Sequence, residues 1–371
     1  MRTKSSSTTA SAAAVLLTVC ACSEGETASV CSGVSIDRPV LVLEVDLARQ
    51  AAALGRIDET GCLEEVPDLA LGDDPVLANA HGRPHVLNRT TGEIHEIDRE
   101  ELRIARTVAA MPVGESSPNP WDVDLDPDGR LWIARYDVDS IGIVGADGSW
   151  QGEIGLGEHA DADGISPEAS VIEVVGDTAY VVLERLDRKE GYLVNGPGRV
   201  AAFAVDAPHE PRGSFDLSTS NPLTATRVDE GSIAVASPGD HWDLLPTDGV
   251  EIVDLEGGTS KLVLDEKTAG GSVLEVVIAA ESEGYAIVEG PSEANPTSVI
   301  AFDPLSRTVT ARLAEAGSFV HAGLAIVGRH VLVGERTKGA ARVLFFERAT
   351  HALAGSLAPQ LMPPLALMRL D

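Results

Sequence analysis

The stretch that decides the fold is Trp121-Asp122-Val123-Asp124-Leu125-Asp126-Pro127-Asp128-Gly129-Arg130-Leu131-Trp132-Ile133-Ala134, followed by Ser140-Ile141-Gly142-Ile143-Val144. It contains an apolar run, a polar turn ending in Gly, a second apolar run, a loop and a third run. Runs this short, rich in Val and Ile and bounded by Gly, Asp, Pro and Asn, read as strands. Glycine at the turn supplies the positive φ of a tight hairpin. The phrase recurs. Gly82, Gly129, Gly176, Gly231, Gly284 and Gly328 each precede a run such as Thr178-Ala179-Tyr180-Val181-Val182-Leu183, at spacings of 44 to 55 residues. A unit of that length cannot bury its own apolar face, so neighbours must stack. The spacing, about 49 residues on average, fits one four-stranded propeller blade.

Six turns mark six units, beginning near residues 70, 116, 166, 220, 271 and 318. The ends are unpaired. Pro364-Leu365-Ala366-Leu367-Met368-Arg369-Leu370-Asp371 looks like the first strand of another unit, and Pro39-Val40-Leu41-Val42-Leu43-Glu44-Val45 like an outer strand lacking its inner one. Together they predict a seventh blade. The expected fold is therefore all-β: one seven-bladed β-propeller over residues 31–371, closed by strands from both termini. Closure removes the free sheet edges that invite aggregation. No convincing amphipathic helix is present; Leu47 to Leu54 fits a short helix or a strand-turn-strand about equally.

These units resemble YVTN/NHL-type bacterial propellers, in particular the YncE-like family. The resemblance rests on the phrase from Asn119 to Ala134, on Gly176-Asp177 through Leu183, and on Asp161-Ala162-Asp163-Gly164 through Glu184-Arg185-Leu186-Asp187-Arg188, which looks like uncharacterised envelope lipoproteins of that family. It implies a fold more than an activity, because such propellers host many functions.

The N-terminus reads as a targeting segment. Arg2 and Lys4 precede a short apolar stretch, Ala12 to Val19, too short to span a bilayer. Val19-Cys20-Ala21-Cys22-Ser23 resembles a lipobox, with Val at −3 where Leu is usual. Residues 1–21 are then a lipoprotein signal peptide, Cys22 the lipidated residue, and 22–30 a tether. Ser23 is not the Asp that retains such proteins at the inner membrane, so the resemblance implies an outer-membrane lipoprotein. Its contact with membrane would be through that lipid alone. Cys31 and Cys62 remain as a pair, read most simply as a disulfide of an exported chain. It would stabilise the N-terminal segment by about 3 kcal/mol in the chain-entropy model.

With 58 Asp and Glu against 28 Lys and Arg, the net charge is −30. Such a surface repels phosphate backbones, which argues against nucleic-acid binding. No Gly-x-Ser-x-Gly elbow, His-Glu-x-x-His, phosphate loop or haem motif occurs. The alternating Asp122, Asp124, Asp126 and Asp128 before Gly129 tempt a calcium reading. However, Arg135 stands where a calcium loop needs an acid, and turn chemistry accounts for the phrase.

Function is therefore sought by position. Inner strands of a propeller start around one channel mouth, here called the top face, where inter-blade loops and second-to-third-strand loops also gather. Counting back from the turn glycines places Asp74, Asn119, Glu168, Asn221 and His321 there. The long loops Glu184–Gly198 and Ser237–Gly249 add Glu184, Arg185, Arg188, His241 and Trp242. Two functions fit. One is an envelope-anchored, monomeric binding module for a protein, peptide or glycan. The other is a lactonase-like hydrolase using Ca2+ or another divalent cation held by Asp74, Glu168 and His321.

Overall fold

A computed structural model describes residues 30–67, 69–160, 163–240, 244–291 and 294–370. The described residues form seven antiparallel sheets around a channel, with a small extra hairpin. Blade 1 runs from Pro75–Ala80 to Arg103–Ala109, blade 2 from Pro120–Leu125 to Trp150–Gly155, and blade 3 from Ala169–Val175 to Pro211–Asp216. Blades 4, 5 and 6 begin with Thr224–Arg227, Ser272–Ala280 and His321–Val327. Helix is confined to the single turn Glu266–Ala269 and one 3-10 turn. No helix among the described residues is long and apolar enough to cross a membrane.

Blade 7 is the expected joint. Its innermost strand, Pro364–Arg369, pairs with Val40–Asp46, from Val40 opposite Arg369 to Glu44 opposite Pro364. Val40–Asp46 is thus the second strand of its blade. Ala51–Ile57, Cys62–Val66 and the two-residue strand Val30–Cys31 follow outward. Leu47–Gln50 forms the turn between strands, so the helical alternative for Leu47–Leu54 is not realised. Cys31 and Cys62 are disulfide-bonded and tie the outermost strand to its neighbour. Cys22 and residues 1–21, the expected signal segment, lie outside the described residues.

Burial follows position in the blade. The second strands Thr178–Leu183 and His330–Glu335 are buried along their whole length, and the others at least in all but their end residues, because neighbouring blades cover both faces. Outer strands such as Trp150–Gly155 alternate, with one face in solvent. Among the described residues the core separates into seven apolar clusters, one at each blade junction. Trp132 and Phe203, for example, meet between blades 2 and 3.

The Asp-rich phrase divides between two tasks. Asp126 makes the turn: its carboxylate accepts from the Asp128 and Arg130 backbone N–H groups and from the Trp132 indole. Asp122 and Asp124 instead reach the next blade, where they accept from Ile172 N (3.0 Å) and Val174 N (2.7 Å). The same clasp recurs with other chemistry. Thr224 and Thr226 donate to Leu274 O and Val276 O, and Glu275 accepts from Gly323 N. Donor and acceptor lie 48 or 50 residues apart, so the repeat period is also the spacing of these bonds.

Candidate functional site

The top face is built where inner strands begin. Asn119 and Glu168 immediately precede blades 2 and 3, Asn221 stands three residues before blade 4, and all three share a left-handed backbone, with φ of 56°, 49° and 56°. Asn tolerates that conformation; Glu does so less readily. Glu168 is held there by its own contacts. Its carboxylate accepts from Leu186 N (2.8 Å) and from the Arg188 guanidinium (2.5 Å), and its carbonyl from Glu184 N (3.0 Å).

Arg188 organises this corner. It sits on the extra hairpin Leu186–Asp187 and Leu193–Val194, an insertion between the second and third strands of blade 3. Beyond Glu168 its guanidinium reaches Asp137 and the Tyr136 carbonyl, and its backbone N–H donates to Asp163. A stack then runs across three blades. Arg89 lies over Trp121 (4.4 Å), Trp121 stacks on Tyr136 (4.6 Å), and Arg188 lies over Tyr136 (5.4 Å) and Tyr192 (5.5 Å). Cation–π attraction favours such alternation. Asp74 pairs with Arg89 at one end. At the other, Tyr192 is 52% exposed.

Beneath the stack, Tyr136 donates its hydroxyl to Glu184 (2.7 Å). Glu184 is buried, and its second oxygen has no partner among the described residues. Burial first, with the nearby Glu168 carboxylate adding, pushes Glu184 up to about 8. It therefore holds a proton in most molecules at neutral pH.

The sequence-predicted residues divide accordingly. Glu168 and Glu184 adjoin, and Asp74 joins them through the stack. Asn119, two residues before Trp121, has its Oδ1 buried without a partner among the described residues. Arg185 donates to Pro197 O, and Asn221 to Gly239 O. His321 turns sideways to Thr297 of blade 5 (3.1 Å), and burial lowers its pKa, keeping the ring neutral. His241 and Trp242 lie outside the described residues. Among the described residues no group of three or more His, Cys, Asp or Glu is arranged to hold a metal ion. Asp74, Glu168 and His321 are thus not gathered into a ligand set. The sequence reading missed Arg89, Trp121, Tyr136 and Tyr192. One signal was available: aromatic residues make up 4% of the chain, yet Trp121 and Tyr136 flank the first hairpin of blade 2.

Compared with models of known families and with curated proteins, the sequence matches none. The fold does match solved structures. A putative 6-phosphogluconolactonase from Bacteroides uniformis aligns at 13% identity with a TM-score of 0.61, covering 90% of this chain and 99% of that one. One from Bacteroides fragilis aligns at 14% with a TM-score of 0.58, covering 94% and 100%. A Lactobacillus plantarum protein aligns at 13% with a TM-score of 0.60, covering 90% and 99%. At these identities the likeness is one of fold: a bacterial β-propeller.

Proposed function

We propose that the chain is an extracytoplasmic binding module, held at the outer membrane by a lipid on Cys22. Its ligand docks on the top face above blades 1 to 3. The observation that carries this reading is the stack Arg89–Trp121–Tyr136–Arg188–Tyr192. Rigid aromatic rings offer stacking area at low entropic cost, and the paired arginines hold them in place. A glycan or peptide segment that stacks on the rings fits that chemistry. The test is an array of glycans and peptides, followed by calorimetric titration. Trp121→Ala and Tyr192→Ala are expected to weaken binding about tenfold or more. Unchanged affinity in both would overturn the reading.

A second reading, hydrolysis of a lactone, is favoured by one observation. Glu184 is a buried carboxyl poised near neutral pH, as acid–base catalysis requires. The putative 6-phosphogluconolactonases of the same fold add a substrate class to try. Turnover of a lactone panel by the wild type, abolished in Glu184→Gln, would favour hydrolysis over binding alone.

A further inference from the structure

The opposite channel mouth, where inner strands end, carries a second polar constellation. Four consecutive blades each supply one side chain. His81 stands just past Pro75–Ala80, and Asp124 near the end of Pro120–Leu125. Glu173 stands near the end of Ala169–Val175, and Arg227 closes Thr224–Arg227. His81 and Gly82 form a two-residue hairpin turn with φ of 50° and 79°. That is the geometry Asn-Gly usually fills; here it delivers an imidazole.

Asp124 is the hub. It is buried, and its carboxylate accepts from four groups. Oδ1 takes His81 Nδ1 (2.7 Å) and Leu125 N (2.9 Å). Oδ2 takes Val174 N (2.7 Å) and Arg227 Nη2 (3.3 Å). One carboxylate therefore holds both cationic side chains, one on each oxygen, and makes them neighbours. Glu173 backs Arg227 from the other side, at Nε and Nη2.

After these bonds His81 Nε2 and Arg227 Nη1 have no partner among the described residues. Neither side chain is sealed: His81 is 44% and Arg227 36% exposed. Asp124, being buried, needs these partners for stability, but that need uses only Nδ1 of His81 and Nη2 of Arg227. Their outer nitrogens are left for another acceptor. His81 and Arg227 are thereby held on one carboxylate at the ends of the inner strands, in a chain of net charge −30.

We propose that His81 and Arg227 form a binding site for a small oxyanion, a phosphate or carboxylate group, at the mouth opposite the aromatic stack. His81 Nε2–H and Arg227 Nη1–H donate to the anion, while Asp124 and Glu173 fix the donors from behind. The site does not depend on the top-face reading, because no residue is shared. The hydrogen bond His81 donates to Asp124, helped by that carboxylate's charge, raises the His81 pKa, with Glu173 adding and partial burial and Arg227 opposing. The imidazolium thus persists further into the neutral range.

The test is titration of the purified full chain with inorganic phosphate and, separately, with acetate, each against sodium chloride at matched ionic strength. The His81 ring resonances are followed by NMR. A saturable shift with either probe, absent with chloride, is expected; the stronger probe identifies the anion class. Arg227→Gln should weaken binding about tenfold by this readout, and His81→Asn, which keeps a residue suited to the turn, should do the same when binding is followed by calorimetry. Trp121→Ala should leave it unchanged. If either variant unfolds, Arg227→Lys replaces it and should weaken binding at least about threefold, through loss of the fixed fork. No saturable shift with either probe, or equal affinity in a folded Arg227 variant, would overturn the proposal.

Discussion

The two mouths of this channel are built by different means. At the top, Trp121 at the start of an inner strand meets loop residues Arg89, Tyr136 and Arg188 in a column of aromatic rings and arginines, and the inserted hairpin Leu186–Val194 supplies its outer end. At the bottom, Asp124, Glu173 and Arg227 come from the inner strands themselves and His81 from a two-residue turn. At the top an acid is pushed up to about 8; at the bottom the pKa of a base is raised. Loops give the top reach and adaptability, whereas strand ends give the bottom fixed geometry.

Removing the hub of the bottom mouth should give the largest effect. Asp124→Ala leaves His81, Arg227 and the Val174 N–H without their shared acceptor, and breaks a clasp between blades 2 and 3. Loss of one member of a buried charged network costs about 3–5 kcal/mol. Urea unfolding measures it. The matching change at the top, Glu168→Gln, should cost less, about 1–3 kcal/mol, because Leu186 N keeps an amide oxygen as acceptor. It should also speed proteolysis within the 186–194 hairpin. Equal costs at the two sites would erase the distinction between a rigid and a loop-built mouth.

Much of this organisation is legible in the sequence, for physical reasons. Second strands such as Thr178–Leu183 are covered on both faces, so they read as unbroken apolar runs, and four of the six glycines before them, at 82, 129, 176 and 328, do supply the positive φ of the turn, while Gly231 and Gly284 do not. That combination repeats, and it locates the blades. The leftover strands at 40–46 and 364–369 locate the closure. Counting back from the turns then places Glu168 and Glu184 at the top face. Partners are another matter. Arg89, Trp121, Tyr136 and Arg188 stack across three blades, and no local spacing records that. Asp122 and Asp124 look like a turn because the groups they bind lie one repeat away. His321 begins its strand where expected, but its ring serves Thr297.

The acid pushed up at the top should show in the pH dependence of stability. Glu184 stands at about 8 when folded and about 4.3 when unfolded. Its contribution is fully present below the unfolded value and is lost as pH rises through the folded one. Between about pH 5 and 8.5 the wild type should therefore lose on the order of 3 kcal/mol through this group. Glu184→Gln, which still accepts from the Tyr136 hydroxyl, should flatten that slope and be the more stable chain at pH 9. Tyr136→Phe removes the donor and should cost about 1–2 kcal/mol at pH 7. Unfolding curves at pH 5, 7 and 9 check both. An unchanged slope in Glu184→Gln would mean the carboxyl is ionised in the folded chain.

The base of raised pKa at the bottom gives the smallest effect, and the sign is the same. His81 has its pKa raised by Asp124, so its contribution is complete below about 6.5 and fades as pH passes the higher folded value. Its ring is partly solvated, which screens the pair, so His81→Asn should cost less than about 1 kcal/mol at pH 6 and less still at pH 9. Asn suits the left-handed turn, so the backbone adds little penalty. A cost that instead grew with pH would require a neutral imidazole accepting from another group. That result would make His81 a structural acceptor and remove the donor the bottom mouth offers an anion.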